Sequence, residues 1–175
     1  PAYAELVQSG AMAISIAAGK PLGYFETLYG TEAAIVRAMP NTPAAIGKGA
    51  SVLVANAATR PEQRDLATRL MQASGSVDWV EDEELMDVVT ALSGGGPAYT
   101  FLLIEAMAAA GEKAGLPADM AMRLARRTVI GASALAEAQP DTDAATLRQN
   151  VTSTGGTTEA ALSVLMAEDG VQPLL

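Results

Sequence analysis

The 175-residue sequence contains no cysteine and no histidine, and these two absences narrow its chemistry sharply. Without cysteine there are no disulfides and no thiolate zinc sites; without histidine the commonest metal ligand and the commonest general base are both missing, so no metal site is expected. Basic residues are also scarce: 11 Lys and Arg face 20 Asp and Glu, a formal net charge of -9. No cluster of them could neutralise several phosphates in a row, which argues against nucleic acid as a partner. No uncharged apolar run reaches the roughly 20 residues that span a bilayer, because Glu105, Glu112 and Lys113 interrupt the longest candidate. The opening "PAYAELVQSG" lacks a basic stretch followed by an apolar one, so no secretory signal is read and a cytoplasmic location without membrane attachment is expected. What remains for chemistry is hydroxyls, carboxylates, backbone N–H groups or a cofactor.

What is present changes texture along the chain. Up to about residue 80, short apolar runs alternate with amphipathic stretches, the pattern of strands and helices taking turns in a parallel sheet. Strands are expected at 11–19, 33–40, 50–56 and 76–81. A short helix is expected at 22–30, closed by Gly30, and a longer one at 60–75, opened by Pro61 and closed by Gly75. Beyond about Asp82 no further strand is read. The stretch 96–115 is apolar nearly all round and rich in alanine and glycine, so a helix buried on most sides is expected there. Helices at 116–138, 143–151 and 156–169 follow, which makes the fold class α/β followed by all-α, with domains 1–82 and 83–175. Residues 1–10 read as the tail of a helix leading into a sheet already under way, and "GVQPLL" ends without a cap, so the sequence is expected to be an internal piece of a longer protein.

Three loops carry candidate chemistry. In "NVTSTGGTTEAALSVL" (150–165) two glycines and several hydroxyls precede a helix whose first N–H groups have no intrahelical partners, a place where a carboxylate could approach bare backbone. Ser153 or Thr154 could equally be a plain helix cap, and taken alone that reading is the commoner one. "RAMPNTPAAIGKG" (37–49) directly follows a strand, where ligands of open α/β sheets sit, but a proline-stiffened turn explains it as well. "TALSGGGPAY" (90–99) has the glycines of a close backbone approach or of a hinge, and lacks the lysine of a phosphate-binding loop. The acidic run "EDEELMD" (81–87), Glu83 included, is read as a solvated helical face.

Five segments, "AAG" (17–19), "VRAMPNTP" (36–43), "TALSGGGPAY" (90–99), "EAMAAAGEKAGLP" (105–117) and "VTSTGGTTEAAL" (151–162), together resemble pyrroline-5-carboxylate reductase in order and spacing over essentially the whole chain. The resemblance implies the C-terminal half of a Rossmann-type, dinucleotide-binding parallel sheet followed by a helical dimerisation domain. It also implies hydride transfer from NADPH, or NADH, to the C=N carbon of 1-pyrroline-5-carboxylate, giving L-proline, in a homodimer that can assemble further. Carried over position by position, Thr158 would be the catalytic residue, hydrogen-bonding the ring nitrogen. Ser153, Gly155, Gly156, Thr157 and Thr158 would form the substrate-carboxylate site with Glu137 close by. Ala17, Ala18, Met39, Pro40, Asn41, Thr42, Pro43 and Asn150 would line the cofactor, while Glu83 is a weaker candidate near the substrate.

Three departures accompany the resemblance. Thr154 stands where the family usually has proline, Gly95 stands where it usually has serine, and no segment has the G-x-G-x-x-G fingerprint between a strand and a helix. The end of the last helix of the family is also not matched. The 175 residues by themselves are accordingly expected to bind NAD(P)H weakly. Two other readings share the layout: a non-catalytic helical dimerisation module, and a nicotinamide-dependent hydroxyacid dehydrogenase. The latter would call for a lysine in the helical part, where the sequence has Lys113 alone, away from the glycine loops.

Overall fold

The structure is a computed structural model and describes residues 3–171. Its apolar runs become four short strands, β1 (Ala13–Ser15), β2 (Ile35–Met39), β3 (Gly49–Ala55) and β4 (Gly75–Trp79), in the order β1-β2-β3-β4. Helices α1 (Ala4–Gln8), α2 (Leu22–Tyr29), α3 (Pro61–Gln72) and α4 (Leu85–Val89) fill the intervals. After α4 a π-helical turn (Thr90–Gly94) leads into α5 (Gly96–Lys113), α6 (Ala118–Ala138), α7 (Ala144–Asn150) and α8 (Thr157–Leu165). Among the described residues no strand follows β4, as the loss of alternation beyond Asp82 implies. The chain divides into two compact units, residues 1–103 and 104–175.

In the first unit the sheet is mixed where the sequence pattern implies parallel strands throughout. β1 with β2 and β3 with β4 are parallel, whereas β2 and β3 pair antiparallel, Met39 opposite Val52. The reason is length: residues 40–48 alone join the two strands, mostly as a 3-10 turn (Thr42–Ile46), and a parallel crossover needs a dozen residues or more. The sheet buries both faces. Ile35 and Val54 lie with Leu22, Val7 and Met86 on one side; Val36, Ala38 and Leu53 lie with Ala67 of α3 on the other. This is a period-2 split of two strands buried on both sides.

The helix ends follow local chemistry with one exception. Gly30 closes α2 at φ +94°, a left-handed-side conformation that L side chains avoid. Pro61 opens α3, where the Arg60 N–H donates to Gln63 Oε1 at 2.9 Å. Gly75 does not cap α3, which ends at Gln72 with Ala73 as its cap. Gly75 instead opens β4, where a Cβ would stand 1.9 Å from the Gly49 carbonyl oxygen, so only glycine permits these two strand starts to meet.

The second unit is built on small residues. An added Cβ on Gly111 of α5 would sit 3.2 Å from Ala121 Cβ of α6, and the buried positions of these helices are Ala108, Ala121 and Ala125. Their large apolar residues point outward: Met107, Met120, Leu124, Ile130 and Leu135 are all exposed. The expectation that α5 is buried on most sides is therefore corrected for the single chain, because alanine-to-alanine packing seats the helices together without covering their other faces. No described helix is long and apolar enough to cross a membrane.

Candidate functional site

In the first unit the candidate cofactor residues lie beyond β1 and β2. Since these two strands are parallel, with Ser15 opposite Arg37, both loops leave the same edge of the sheet, where ligands of open α/β sheets bind. Ala17 and Ala18 are exposed there without side-chain bulk, and the Ala17 N–H donates to Ser15 Oγ at 3.2 Å. Met39 ends β2, Pro40 and Pro43 are half-buried, and Thr42 is exposed. Asn41 has a further role: its Oδ1 accepts from the Ala50 N–H at 2.9 Å, and its Nδ2 donates to Ser93 O and Ser93 Oγ, each at 3.3 Å. Both ends of its amide are thus engaged within the chain, and the side chain holds the loop's shape.

The π turn 90–94 lies against this loop. A Cβ on Gly94 would come within 2.7 Å of Met39 Cε, which is the close approach that the glycine run implies. π turns often mark functional sites because they re-aim a helix locally. At Gly95, where a serine is usual by resemblance, a Cβ would meet Tyr99 Oη at 2.8 Å, and the Tyr99 hydroxyl donates to Ala91 O across that space. The chain thereby fills with a tyrosine hydroxyl the room that a serine side chain would take.

Glu81, Asp82, Glu84 and Asp87 are exposed, as the reading of a solvated acidic run implies, and Glu83 departs from it. Glu83 and Glu84 precede α4, and Glu83 is only partly exposed. Its Oε1 accepts from the Leu22 N–H at 2.8 Å, which caps α2, and from Arg37 Nη1 at 2.9 Å. Nothing in the spacing of 81–87 announces these partners, because both are remote in sequence. Glu81 pairs with Arg64, whose guanidinium holds that carboxyl below its ordinary range.

In the second unit the glycine loop joins α7 to α8. Asn150 ends α7, and the Thr152 hydroxyl donates to Arg148 O at 2.7 Å, turning the chain out of the helix. Gly155 has φ +72°, which favours glycine, and a Cβ on Gly156 would crowd the Ser153 hydroxyl and come 3.0 Å from the Ser153 carbonyl oxygen. The N-cap of α8 is Gly156, with no side-chain cap. Neither Ser153 nor Thr154 caps the helix: Ser153 serves through its carbonyl, which accepts from the Gly156 N–H at 3.0 Å. Thr157 and Thr158, both exposed, are the first two helical residues, and their N–H groups stand in the uncapped, electropositive first turn. Glu159, which the sequence reading passed over, takes the Gly155 N–H at 2.6 Å; the signal was an acid in the third helical position. Glu137 lies at the exposed end of α6.

Two alanines without side-chain bulk and a proline-stiffened loop follow the carboxyl ends of β1 and β2 in the first unit, and amides without intrahelical partners stand at the start of α8 in the second. No G-x-G-x-x-G, the pattern that receives a dinucleotide's pyrophosphate, occurs in the sequence.

Residues 83–175 match the family described as pyrroline-5-carboxylate reductase dimerisation. The pyrroline-5-carboxylate reductase of Pseudomonas aeruginosa is 45% identical over 166 residues, covering 95% of this chain and 60% of that protein. That of Pisum sativum is 41% identical over 160 residues, covering 91% and 58%. Among solved structures, a pyrroline-5-carboxylate reductase from Coxiella burnetii superposes with a TM-score of 0.88 at 41% identity, covering 94% of this chain and 61% of that one. A pyrroline carboxylate reductase from Plasmodium falciparum with NADP bound gives 0.79 at 30% identity, covering 93% and 67%. The chain thus spans about three-fifths of the length of the curated relatives it matches. With more than half of its residues inside the family's dimerisation region, the chain belongs to the pyrroline-5-carboxylate reductase family.

Proposed function

We propose that this chain serves the NAD(P)H-dependent reduction of 1-pyrroline-5-carboxylate to L-proline in the cytoplasm, as part of a self-associating protein, at least a homodimer. Residues 1–82 belong in this reading to the dinucleotide-binding domain, and 83–175 form the helical dimerisation and substrate-binding domain. The observation that carries it is the uncapped first turn of α8, entered through Gly155 and Gly156, in a chain of this family. The N–H groups of Gly156, Thr157 and Thr158 would hold the substrate carboxylate, Thr158 Oγ1 would hydrogen-bond the ring nitrogen, and Ser153 and Glu137 would border the ring. Ala17, Ala18, the Met39–Pro43 loop and Asn150 would hold the cofactor. When bound, NADPH supplies the hydride, which leaves the protein the tasks of orientation and charge stabilisation and explains a site without histidine or cysteine. The Plasmodium relative's bound NADP supports that choice.

The exposed leucines, isoleucine and methionines of α5 and α6 support self-association, in a chain whose residues 83–175 match a dimerisation family. Thr158→Ala in the full-length protein tests the site. Loss of a hydrogen bond to the reacting ring should lower kcat/KM for pyrroline-5-carboxylate on the order of a hundredfold, with the oligomeric state unchanged. An unaltered kcat/KM would remove Thr158 from the site, and wild-type protein without turnover of pyrroline-5-carboxylate would leave only a dimerisation module.

A further inference from the structure

Within the first unit, three segments carry the candidate cofactor residues or pack on them, and one carboxylate oxygen ties all three together. Leu22, whose N–H meets Glu83 Oε1 at 2.8 Å, opens α2 just beyond the Ala17–Ala18 loop. Arg37, at 2.9 Å from the same atom, stands in β2 two residues before Met39. Glu83 itself begins the segment that runs through α4 into the π turn. The far end of that segment is fastened too, by Ser93 to Asn41 and by Gly94 beneath Met39. Residues 83–94 are therefore pinned to β2 and its loop at two points.

Stability alone is a poor reason for such a pair. The Arg37 side chain is 7% exposed, and a buried ion pair commonly adds little over apolar packing, because two charges must be desolvated. What a directional pair does supply is a single geometry: Glu83 Oε1 can meet Leu22 and Arg37 together in one register of β2, α2 and the 83–94 segment. We propose that Glu83 is a positioning residue for cofactor binding, holding the 39–43 loop and the 90–94 turn in the shape that receives the nicotinamide, without touching it. The inference rests on the cofactor reading above and adds a residue that acts through Arg37 and Leu22.

The test uses the full-length protein and Glu83→Gln, which keeps an oxygen for the Leu22 N–H but leaves Arg37 without its counter-charge. Amide hydrogen exchange, measured without cofactor, should quicken at 39–43 and 90–94 while α3 and β4 keep wild-type protection. The dissociation constant for NADPH should rise on the order of tenfold, since small displacements of positioning groups have effects of this size. Proline binding at the glycine loop should not change. A lower melting temperature with unaltered loop exchange and unaltered NADPH affinity would overturn the proposal and leave a structural ion pair. Wild-type protein that fails to bind NADPH would defeat the cofactor reading and this inference together; wild-type binding matched by the variant defeats the inference alone. If Glu83→Gln does not fold, Glu83→Asp, with the charge kept and the reach shortened by one methylene, replaces it under the same outcomes.

Discussion

The two compact units differ in what they bury. In residues 1–103 the strand residues Ile35, Val36, Leu53 and Val54 are essentially inaccessible, closed in by the unit's own helices. Among the described residues of 104–175 the buried positions are three alanines, while leucines and methionines face outward. A sheet has two faces, each broad enough to seat a helix; a pair of helices joined through alanine and glycine leaves most of each circumference open. The difference teaches that the first unit has a core of its own, although Ile46, Leu92 and Phe101 stay exposed, whereas the second, among the described residues, buries none of its large apolar side chains.

The contrast can be broken most forcefully in the sheet. Leu53→Ala empties a fully buried site and should cost about 2–5 kcal/mol in denaturant titration; a much smaller loss would mean that the first unit is not the tightly packed one. Gly155→Ala forces an L side chain into φ +72°, for about 1–2 kcal/mol of local strain. It should weaken proline binding at the α8 N-terminus while leaving the sheet's unfolding midpoint in place, and equal proline affinity would show that the loop's left-handed turn does not matter for the site. Leu124→Lys on the bare face of α6 should change folding stability by no more than about 0.5 kcal/mol. Sedimentation should nevertheless show self-association lost, and an unchanged oligomer would place the interface elsewhere.

The smallest effect sharpens the comparison at a single helix end. Asp143 caps α7 through the Thr146 N–H at 2.9 Å and hydroxyl at 2.8 Å, and these bonds hold its carboxyl below the ordinary value of 3.8. Because the folded pKa lies below the unfolded one, the cap stabilises above the ordinary value and is lost as pH falls through the lowered one. Wild type and Asp143→Ala should therefore differ in α7 amide protection at neutral pH and converge in strong acid. A difference that persists there would assign the cap to something other than the charge.

Much of the first unit was legible because its signals are local. Gly30 marks a helix end through glycine's freedom at positive φ and Pro61 through proline's fixed φ, and the apolar runs place each strand to within a few residues. The glycine loop was legible as a loop before α8, but the choice between a side-chain cap and bare backbone was not. Ser153 could have served either, and the loop's left-handed turn at Gly155 brings its carbonyl, not its hydroxyl, to Gly156. Glu83 departed from the reading of its run for a related reason. Spacing reports only what shares a helical face, whereas Glu83 finds partners 61 and 46 residues away.

By itself, then, the sequence determined the succession of α/β and helical regions, the backbone breaks at glycine and proline, and a chemistry without imidazole or thiol. These depend on residue type and on neighbours within a turn or two. Tertiary structure decided the antiparallel pairing of β2 with β3, the joining of β2, α2 and the 83–94 segment through one carboxylate, and the outward display of apolar side chains on α5 and α6. Each of those is a meeting of groups far apart along the chain, settled by connection length, by the desolvation of Arg37, and by how closely alanine lets two helices approach.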